Sequence, residues 1–246
     1  MNFANVVVVL VEPQGALNVG SVCRVMMNFG FSDLRMVSPC ADYLSDDGRR
    51  MAVKARAVLE GAAIYDDLGA ALADCCLAMG TTRRFGKYRR EFFNPDQAAR
   101  FLIPRLGKGR VALVFGREDS GLQTSDLDFC QRLITIPTSD SLPSMNLAQA
   151  VAICLYEIAV AERTAGDADD TKALAQGEEV ERMFQHMRQT LLDIEFLDPQ
   201  NPDHLLRTFR RIFGRDGLDE REVRILHGLW SRIDWLVSDH RRRICT

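Results

Sequence analysis

Three short patches carry residue types suited to chemistry on an anionic or hydroxylated substrate. They are Asn18-Val19-Gly20-Ser21-Val22-Cys23-Arg24, Phe115-Gly116-Arg117-Glu118-Asp119-Ser120-Gly121-Leu122, and Ile136-Pro137 followed by Ser144-Met145-Asn146-Leu147. Each lies where an expected strand or loop runs into an expected helix. Backbone N–H groups are unpaired at such junctions, so small molecules and anions dock there. In the first patch, Asn18 and Arg24 span the end of a loop and the first turns of a helix. That spacing is expected to aim both over the C-terminal edge of a sheet, where α/β ligand sites lie. Arg24 offers a planar, permanently charged fork suited to phosphate. Taken alone, the patch reads equally as a surface arginine and a capping asparagine. In the second patch, Gly116 allows a tight turn and close backbone approach to a ligand. Glu118 sits in that turn and Gly121 closes it. By itself G-x-E-x-x-G is a weak motif that also fits a plain strand–turn–helix junction. In the third patch a small-residue loop leads to Ser144 and Asn146 at a helix start. Free N–H groups and two side-chain hydrogen-bonders then face one place.

The segments between the patches predict what holds them. Val6–Val11 is continuous and β-branched, as expected of a parallel strand buried on both faces. A helix is expected to follow through about Phe29, then a strand over Asp33–Val37 and a helix over Ala52–Gly61. A short strand or turn at Ile64-Tyr65 precedes a helix over Leu68–Ala73. Further strands are predicted at Leu77–Gly80, Val111–Phe115 and Leu133–Ile136. Further helices are predicted at Pro95–Leu106, Ser125–Cys130 and Leu147–Arg163. This alternation implies an α/β fold, a parallel sheet with helices on both faces, over residues 1–163. Residues 164–178 are polar without an apolar period and read as a linker. Residues 179–246 read as a small all-α region of three helices. These run over about Glu179–Leu197, Asp203–Phe213 and from Asp219 to about Arg243. Asp219 with Glu222 forms a capping-box pattern at the start of the last.

Composition narrows the function classes. The chain has 246 residues, enough for one large domain and a smaller one, and 47% hydrophobic with 26% charged residues is ordinary for a globular protein. The formal net charge is -3, so nucleic acid would have to bind a local patch and not a global field. Seven scattered cysteines, an odd number without a C-x-x-C pair, imply reduced thiols in a cytosol. The four histidines do not cluster with them at ligand spacing, so no metal is expected. No basic leader precedes Val6, and Val6–Val11 is far too short to span a bilayer. No G-x-G-x-x-G follows the first strand, which argues against a nucleotide-dependent oxidoreductase of ordinary Rossmann type.

The three patches together, in this order, resemble the motifs of the SpoU-type RNA 2'-O-ribose methyltransferases of the SPOUT superfamily. Those enzymes carry N-x-G-x-x-x-R, then F-G-x-E-x-x-G-L, then I-P followed by S-x-N-L at a helix start. All of these elements occur here over roughly residues 5–160. The resemblance implies a parallel α/β sheet with its C-terminal part tucked into a trefoil knot, and a homodimer with the knot region at the interface. It also implies S-adenosylmethionine as methyl donor, without a metal. By motif, Arg24 is the catalytic arginine, which meets RNA phosphate and helps activate the ribose 2'-hydroxyl. Asn18 holds Arg24 and the substrate, Glu118 orients Arg24 or the ribose, and Ser144 and Asn146 shape the same pocket. The donor's adenosine is expected among Thr81, Thr82, Arg83, Gly116, Ile136, Pro143, Ser144 and Met145.

Within the family, Val9-Leu10-Val11-Glu12-Pro13, Gly80-Thr81-Thr82-Arg83 and the appended helices are most similar to a bacterial cytoplasmic tRNA branch. That branch modifies the cytidine or uridine at nucleotide 32 of the anticodon loop. Action on rRNA or another tRNA position, or a catalytically silent RNA-binding homologue, are the alternatives; the presence of all five motif side chains argues against the last. The densest positive run, Arg83-Arg84-Phe85-Gly86-Lys87-Tyr88-Arg89-Arg90, follows the strand that ends near Thr81. Arg84, Lys87, Arg89 and Arg90 are expected to neutralise phosphates, with Phe85 or Tyr88 stacking on an unpaired base. In the tail, Arg207, Arg210, Arg211 and Arg241–Arg243 suit either tRNA docking or a structural role. Trp230 and Trp235 are expected as core anchors.

Overall fold

Val6–Val11 has no polar side chain to turn toward water, and it forms the fully buried strand β1 (Val6–Val11). The structure, a computed structural model, describes residues 3–83, 92–164, 173–214 and 217–244. The other described strands are β2 (Asp33–Val37), β3 (Ala63–Tyr65), β4 (Cys75–Thr81), β5 (Phe92–Phe93), β6 (Arg110–Phe115) and β7 (Arg132–Ile134). They make one parallel sheet in the order β3-β2-β1-β6-β4-β7-β5. The helices are α1 (Ala16–Phe29), α2 (Asp46–Ala52), α3 (Arg56–Glu60), α4 (Leu68–Ala71), α5 (Pro95–Leu102), α6 (Thr124–Leu127), α7 (Leu147–Thr164), α8 (Gly177–Asp193), α9 (Asp203–Phe213) and α10 (Glu220–Ile244).

Successive strand residues point to opposite faces. Val6, Val8 and Leu10 pack with Val19 and Met26 of α1, Leu102 of α5, and Val151 and Leu155 of α7. Val7, Val9 and Val11 pack on the other side with Leu68 of α4, Leu122, Cys130 and Leu133. Each such buried Val or Leu contributes about 1.5–3 kcal/mol. The expected α/β sheet with helices against both faces is therefore present. α8, α9 and α10 enclose a third core built on Met183, Phe184, Met187, Leu206, Val223 and Trp230.

Several boundaries differ from expectation. Helix in the region of Ala52–Gly61 begins earlier, because Ser45 caps α2 by accepting the Gly48 N–H at 3.5 Å. It is then broken at Val53, which has φ +51. The helix expected over Pro95–Leu106 stops at Leu102 and tightens into a 3-10 turn over Ile103–Arg105. Pro104 there has no N–H to continue an α-helix. β7 ends at Ile134, which leaves Ile136 in a loop. Strand β5 was not expected. α8 ends at Asp193: Glu195 turns to φ +58, Phe196 and Leu197 N–H both donate to Leu191 O at 2.9 and 3.1 Å, and Leu197 drops into the core.

The end of the expected linker is ordered and packed. Ala175 is buried and donates its N–H to Leu218 O at 2.7 Å, and Glu178 N–H donates to Ala73 O at 2.9 Å. Arg207 of α9 bonds Asp128, just beyond α6, at 2.8 Å. Arg210 grips Glu181 through two bonds at 2.7 and 2.8 Å and lies over the Phe184 ring at 4.5 Å. Trp230 is the expected anchor, but Trp235 is 47% exposed with the Arg232 guanidinium 4.2 Å over its ring. α10 turns that indole away from the core.

Candidate active site

β1, β6 and β4 end side by side, so the chain leaving each meets at the C-terminal edge of the sheet. Gly116 follows β6 directly. A Cβ there would sit 2.2 Å from the carbonyl carbon of Gly121 and 2.2 Å from Leu122 N, so only glycine fits. Gly121 has φ +67 and returns its N–H to Arg117 O at 2.8 Å, which closes the turn. The turn presents Glu118 to the segment after β1. Glu118 accepts the Gln14 N–H at 2.9 Å, the Gly15 N–H at 3.3 Å and the Asn18 side-chain amide at 2.9 Å. Asn18 Oδ1 in turn accepts from Asn146 Nδ2 at 2.9 Å. Asn146 caps α7, its Oδ1 accepting the Ala148 N–H at 2.9 Å and the Gln149 N–H at 3.4 Å. One hydrogen-bonded line, Glu118–Asn18–Asn146, thus joins the three patches across 100 and 128 residues of chain.

Beside this line lies a cavity of about 280 Å³. Thr81, Thr82, Arg83, Gly116, Ile136, Pro143, Ser144 and Met145 all line it, together with Glu118. Thr81 Oγ1 donates to Val114 O at 3.0 Å and Thr82 N–H donates to Ile134 O at 2.9 Å, which fixes the exit of β4. Thr138 Oγ1 donates to Pro143 O at 3.1 Å and folds the loop that carries Ser144 to the rim. Arg83 reaches Asp140 at 3.6 Å, an exposed pair of little energetic weight. Asp119, on the same rim, has its carboxyl held below the usual range by hydrogen bonds from Gln14 and Ser120.

Arg24 is not brought to Glu118. It lies on α1, exposed, with no hydrogen bond or ion pair to a described residue. Six helical residues carry it roughly 9 Å along the axis and about 120° around it from Asn18. Both residues are inside the helix, not one in a loop, so they do not share a direction. Gly20 of the same patch has a packing role: a Cβ there would lie 2.3 Å from Gly48 O of α2. Arg84, Lys87, Arg89 and Arg90 fall outside the described residues.

Sequence reasoning passed over Gln14 and Gly15, whose backbone N–H groups hold Glu118. It also passed over Arg117, Glu12 and Asp126. Arg117 donates from Nε to Glu12 at 2.7 Å and from a terminal nitrogen to Asp126 at 3.0 Å. The Arg117 guanidinium beside Glu12 holds that carboxyl below the usual range. The sequence signals were the position of Arg117 next to Glu118 and that of Glu12 within the Val9–Pro13 segment.

Residues 5–156 match the SpoU rRNA Methylase family, and residues 178–243 match the C-terminal domain of the tRNA methyltransferase TrmJ. The chain is 34% identical over 234 residues to the tRNA (cytidine/uridine/adenosine-2'-O-)-methyltransferase TrmJ of Pseudomonas aeruginosa, covering 90% of this chain and 91% of that one. It superposes on the crystal structure of TrmJ from Z. mobilis with TM-score 0.82 and 30% identity, over 93% of this chain and 98% of that one. The fold also matches AviRb, a SpoU methyltransferase of Streptomyces viridochromogenes crystallised with AdoMet, with TM-score 0.51 and 19% identity over 67% of this chain and 63% of that one. This chain, a parallel sheet whose three motifs meet in one hydrogen-bonded line at its C-terminal edge, followed by the TrmJ-type helices, belongs to the SpoU methylase family.

Proposed function

We propose that this protein transfers the methyl group of S-adenosylmethionine to the ribose 2'-hydroxyl of a cytidine or uridine in tRNA, at nucleotide 32 of the anticodon loop. The Glu118–Asn18–Asn146 line beside the cavity carries the reading. The cavity fits the donor in kind. Gly116 and Gly121 let backbone approach closely, Leu122, Ile134, Ile136 and Met145 give apolar walls, and Glu118 and Asp119 suit a cationic group. Its volume lies near the lower end for small-molecule sites. When bound, the donor supplies an electrophilic methyl group.

The chain's own groups then do three things. Backbone and side chains of Thr81, Thr82, Arg83, Ile136, Pro143, Ser144 and Met145 hold the donor and exclude water. Asn18, Glu118, Ser144 and Asn146 fix where a ribose sits, and alignment of the two reactants supplies much of the acceleration. Arg24 has no competing partner among the described residues and meets RNA phosphate. It stays protonated, so it acts by charge and position at least as much as by accepting a proton. The basic run with Arg84, Lys87, Arg89 and Arg90 continues from the cavity rim at Arg83 and adds phosphate contacts.

The same reading includes the knotted topology and a cytoplasmic homodimer joined through that region. It is supported by β7, which inserts between β4 and β5. It is also supported by Leu17 and Met27 of α1 and Tyr156 of α7, each an apolar side chain about half exposed. The decisive experiment incubates the protein with labelled S-adenosylmethionine and unmodified bulk tRNA, beside an Arg24→Ala control, and maps the product by mass spectrometry. Methylation at nucleotide 32 that vanishes in the variant is the expected result. Methylation elsewhere overturns the position, and transfer to rRNA alone overturns the substrate. Transfer to neither leaves a silent RNA-binding homologue. Light scattering tests the dimer, with twice the 27.7 kDa chain mass expected.

A further inference from the structure

Glu118 has a neighbour that faces the other way. Arg117 is only 9% exposed, yet it sits at the rim of the cavity. Its fork makes two bonds with the Glu12 carboxylate, one of them at 2.7 Å, and one with Asp126 Oδ2 at 3.0 Å. The same Asp126 oxygen accepts the Gln123 N–H at 2.8 Å and so starts α6. Glu12 is the first residue after β1. It has φ +46 and donates its N–H to Val37 O at 2.8 Å. A non-glycine residue in that region persists where its surroundings over-determine it.

The two neighbours therefore fasten the same pair of segments twice. Arg117 grips Glu12, and one residue on, Glu118 grips Gln14, Gly15 and Asn18. A single pair would act as a hinge, whereas two adjacent ones also fix rotation. Lysine could not replace the fork, because three bonds shared between two carboxylates need guanidinium geometry. Arg117 is buried but its partner Glu12 is about half exposed, so the pair itself adds little net stability. Its use at the edge of a binding cavity is to specify geometry.

We propose that Glu12, Arg117 and Asp126 form a positioning triad for methyl transfer: they seat Glu118 on the Gln14–Asn18 segment and so set the place of Asn18 and Asn146. This rests on the methyl-transfer reading above. Glu12 does not line the cavity, so Glu12→Gln removes the charge without touching donor or ribose. In that variant, single-turnover transfer to tRNA slows about 10- to 100-fold. The dissociation constant for S-adenosylmethionine changes by less than about threefold, and hydrogen exchange at the Gln14 and Gly15 amides speeds up. Because the triad acts through Glu118, Glu12→Gln costs little further rate in a Glu118→Gln background. A Glu12→Gln protein that keeps the full rate overturns the proposal. So does the same fold loss in both backgrounds, or unchanged exchange at Gln14 and Gly15. The exchange measurement needs no turnover. An inactive parent protein would therefore sink the methyl-transfer reading while the clamp is still read.

Discussion

Asn18 is the middle of the line that joins the three motifs, and Asn18→Asp tests it with almost no change of shape. In the parent protein Asn18 Nδ2 donates to Glu118 Oε1 at 2.9 Å. In the variant that position holds a carboxylate oxygen. A hydrogen bond to a charged acceptor, worth about 1.5–3 kcal/mol, is lost. Two like charges relaxed to about 4 Å add roughly 1 kcal/mol of repulsion in water and about 4 at the effective dielectric of a protein surface. Some of this is relieved by movement, so a net loss of about 2–4 kcal/mol is expected at the reacting geometry. If it falls on the transition state, that is about 30- to 1,000-fold in kcat/KM. The two carboxylates can also share one proton, which converts repulsion back into a hydrogen bond. Activity of the variant relative to the parent should therefore recover as pH falls from about 8 to 6. Initial rates of methyl transfer across that range, for both proteins, provide the assay. A variant within about threefold of the parent at pH 8, or a deficit that does not move with pH, would refute the reasoning.

Three other outcomes are expected. Gly116→Ala puts a Cβ 2.2 Å from the Gly121 backbone, which cannot retreat as a side chain can. Calorimetry should show S-adenosylmethionine binding weakened by about tenfold or more, and parent-like binding would show that the turn tolerates a side chain. Gly20→Ala meets Gly48 O at 2.3 Å and forces α1 from α2, so denaturant melts should show a loss of about 1–3 kcal/mol, with an unchanged midpoint counting against that contact. His227 Nδ1 lies 3.0 Å from His186 Nδ1, and His186 Nε2 is held by Asp234 at 2.9 Å. Burial first, then His186 and Arg182, lowers the His227 pKa below its ordinary 6.5. The unfolded chain then binds the proton more readily, so this stability is whole above about 6.5 and lost as pH falls below it. Thermal melts from pH 8 to 5 should show that loss, and it should shrink in His227→Gln; an identical pH dependence in the variant would exclude the pair.

What the sequence disclosed depended on how local the cause was. β1 was legible because an unbroken apolar run admits few other fates. α9 was legible between Asp203 and the stop at Gly214. The Asp219–Glu222 box is present, with the Glu222 N–H donating to Asp219 at 2.6 Å and the Asp219 N–H to Glu222 at 3.0 Å. The residues expected around the donor do line one cavity, because motif order carried information that no single motif held. β5 was not legible, since two residues have no period and are strand only through their pairing with β7. The break at Val53 was not legible either, since φ +51 is a region that a β-branched residue ordinarily avoids. The partners of Arg117, 105 residues back and nine ahead, leave no pattern in a linear reading. The separation of Arg24 from Asn18 could have been read, because six residues are not a whole number of helical turns.

The strand order has a consequence for how the chain reaches this structure. β2 and β3 come soon after β1, but its other neighbour is β6, whose Val111 pairs with Val6. Throughout synthesis of the intervening residues β1 has two apolar faces and one edge of unpaired backbone N–H and C=O groups. β7 must then enter between β4 and β5. Such long-range parallel pairing folds slowly, and intermediates with open strand edges are prone to associate. Asn146 follows all seven described strands, so a chain can complete that sheet and still lack the last member of the hydrogen-bonded line. Catalytic competence should therefore appear later than sheet content during refolding, with a lag set by the docking of α7.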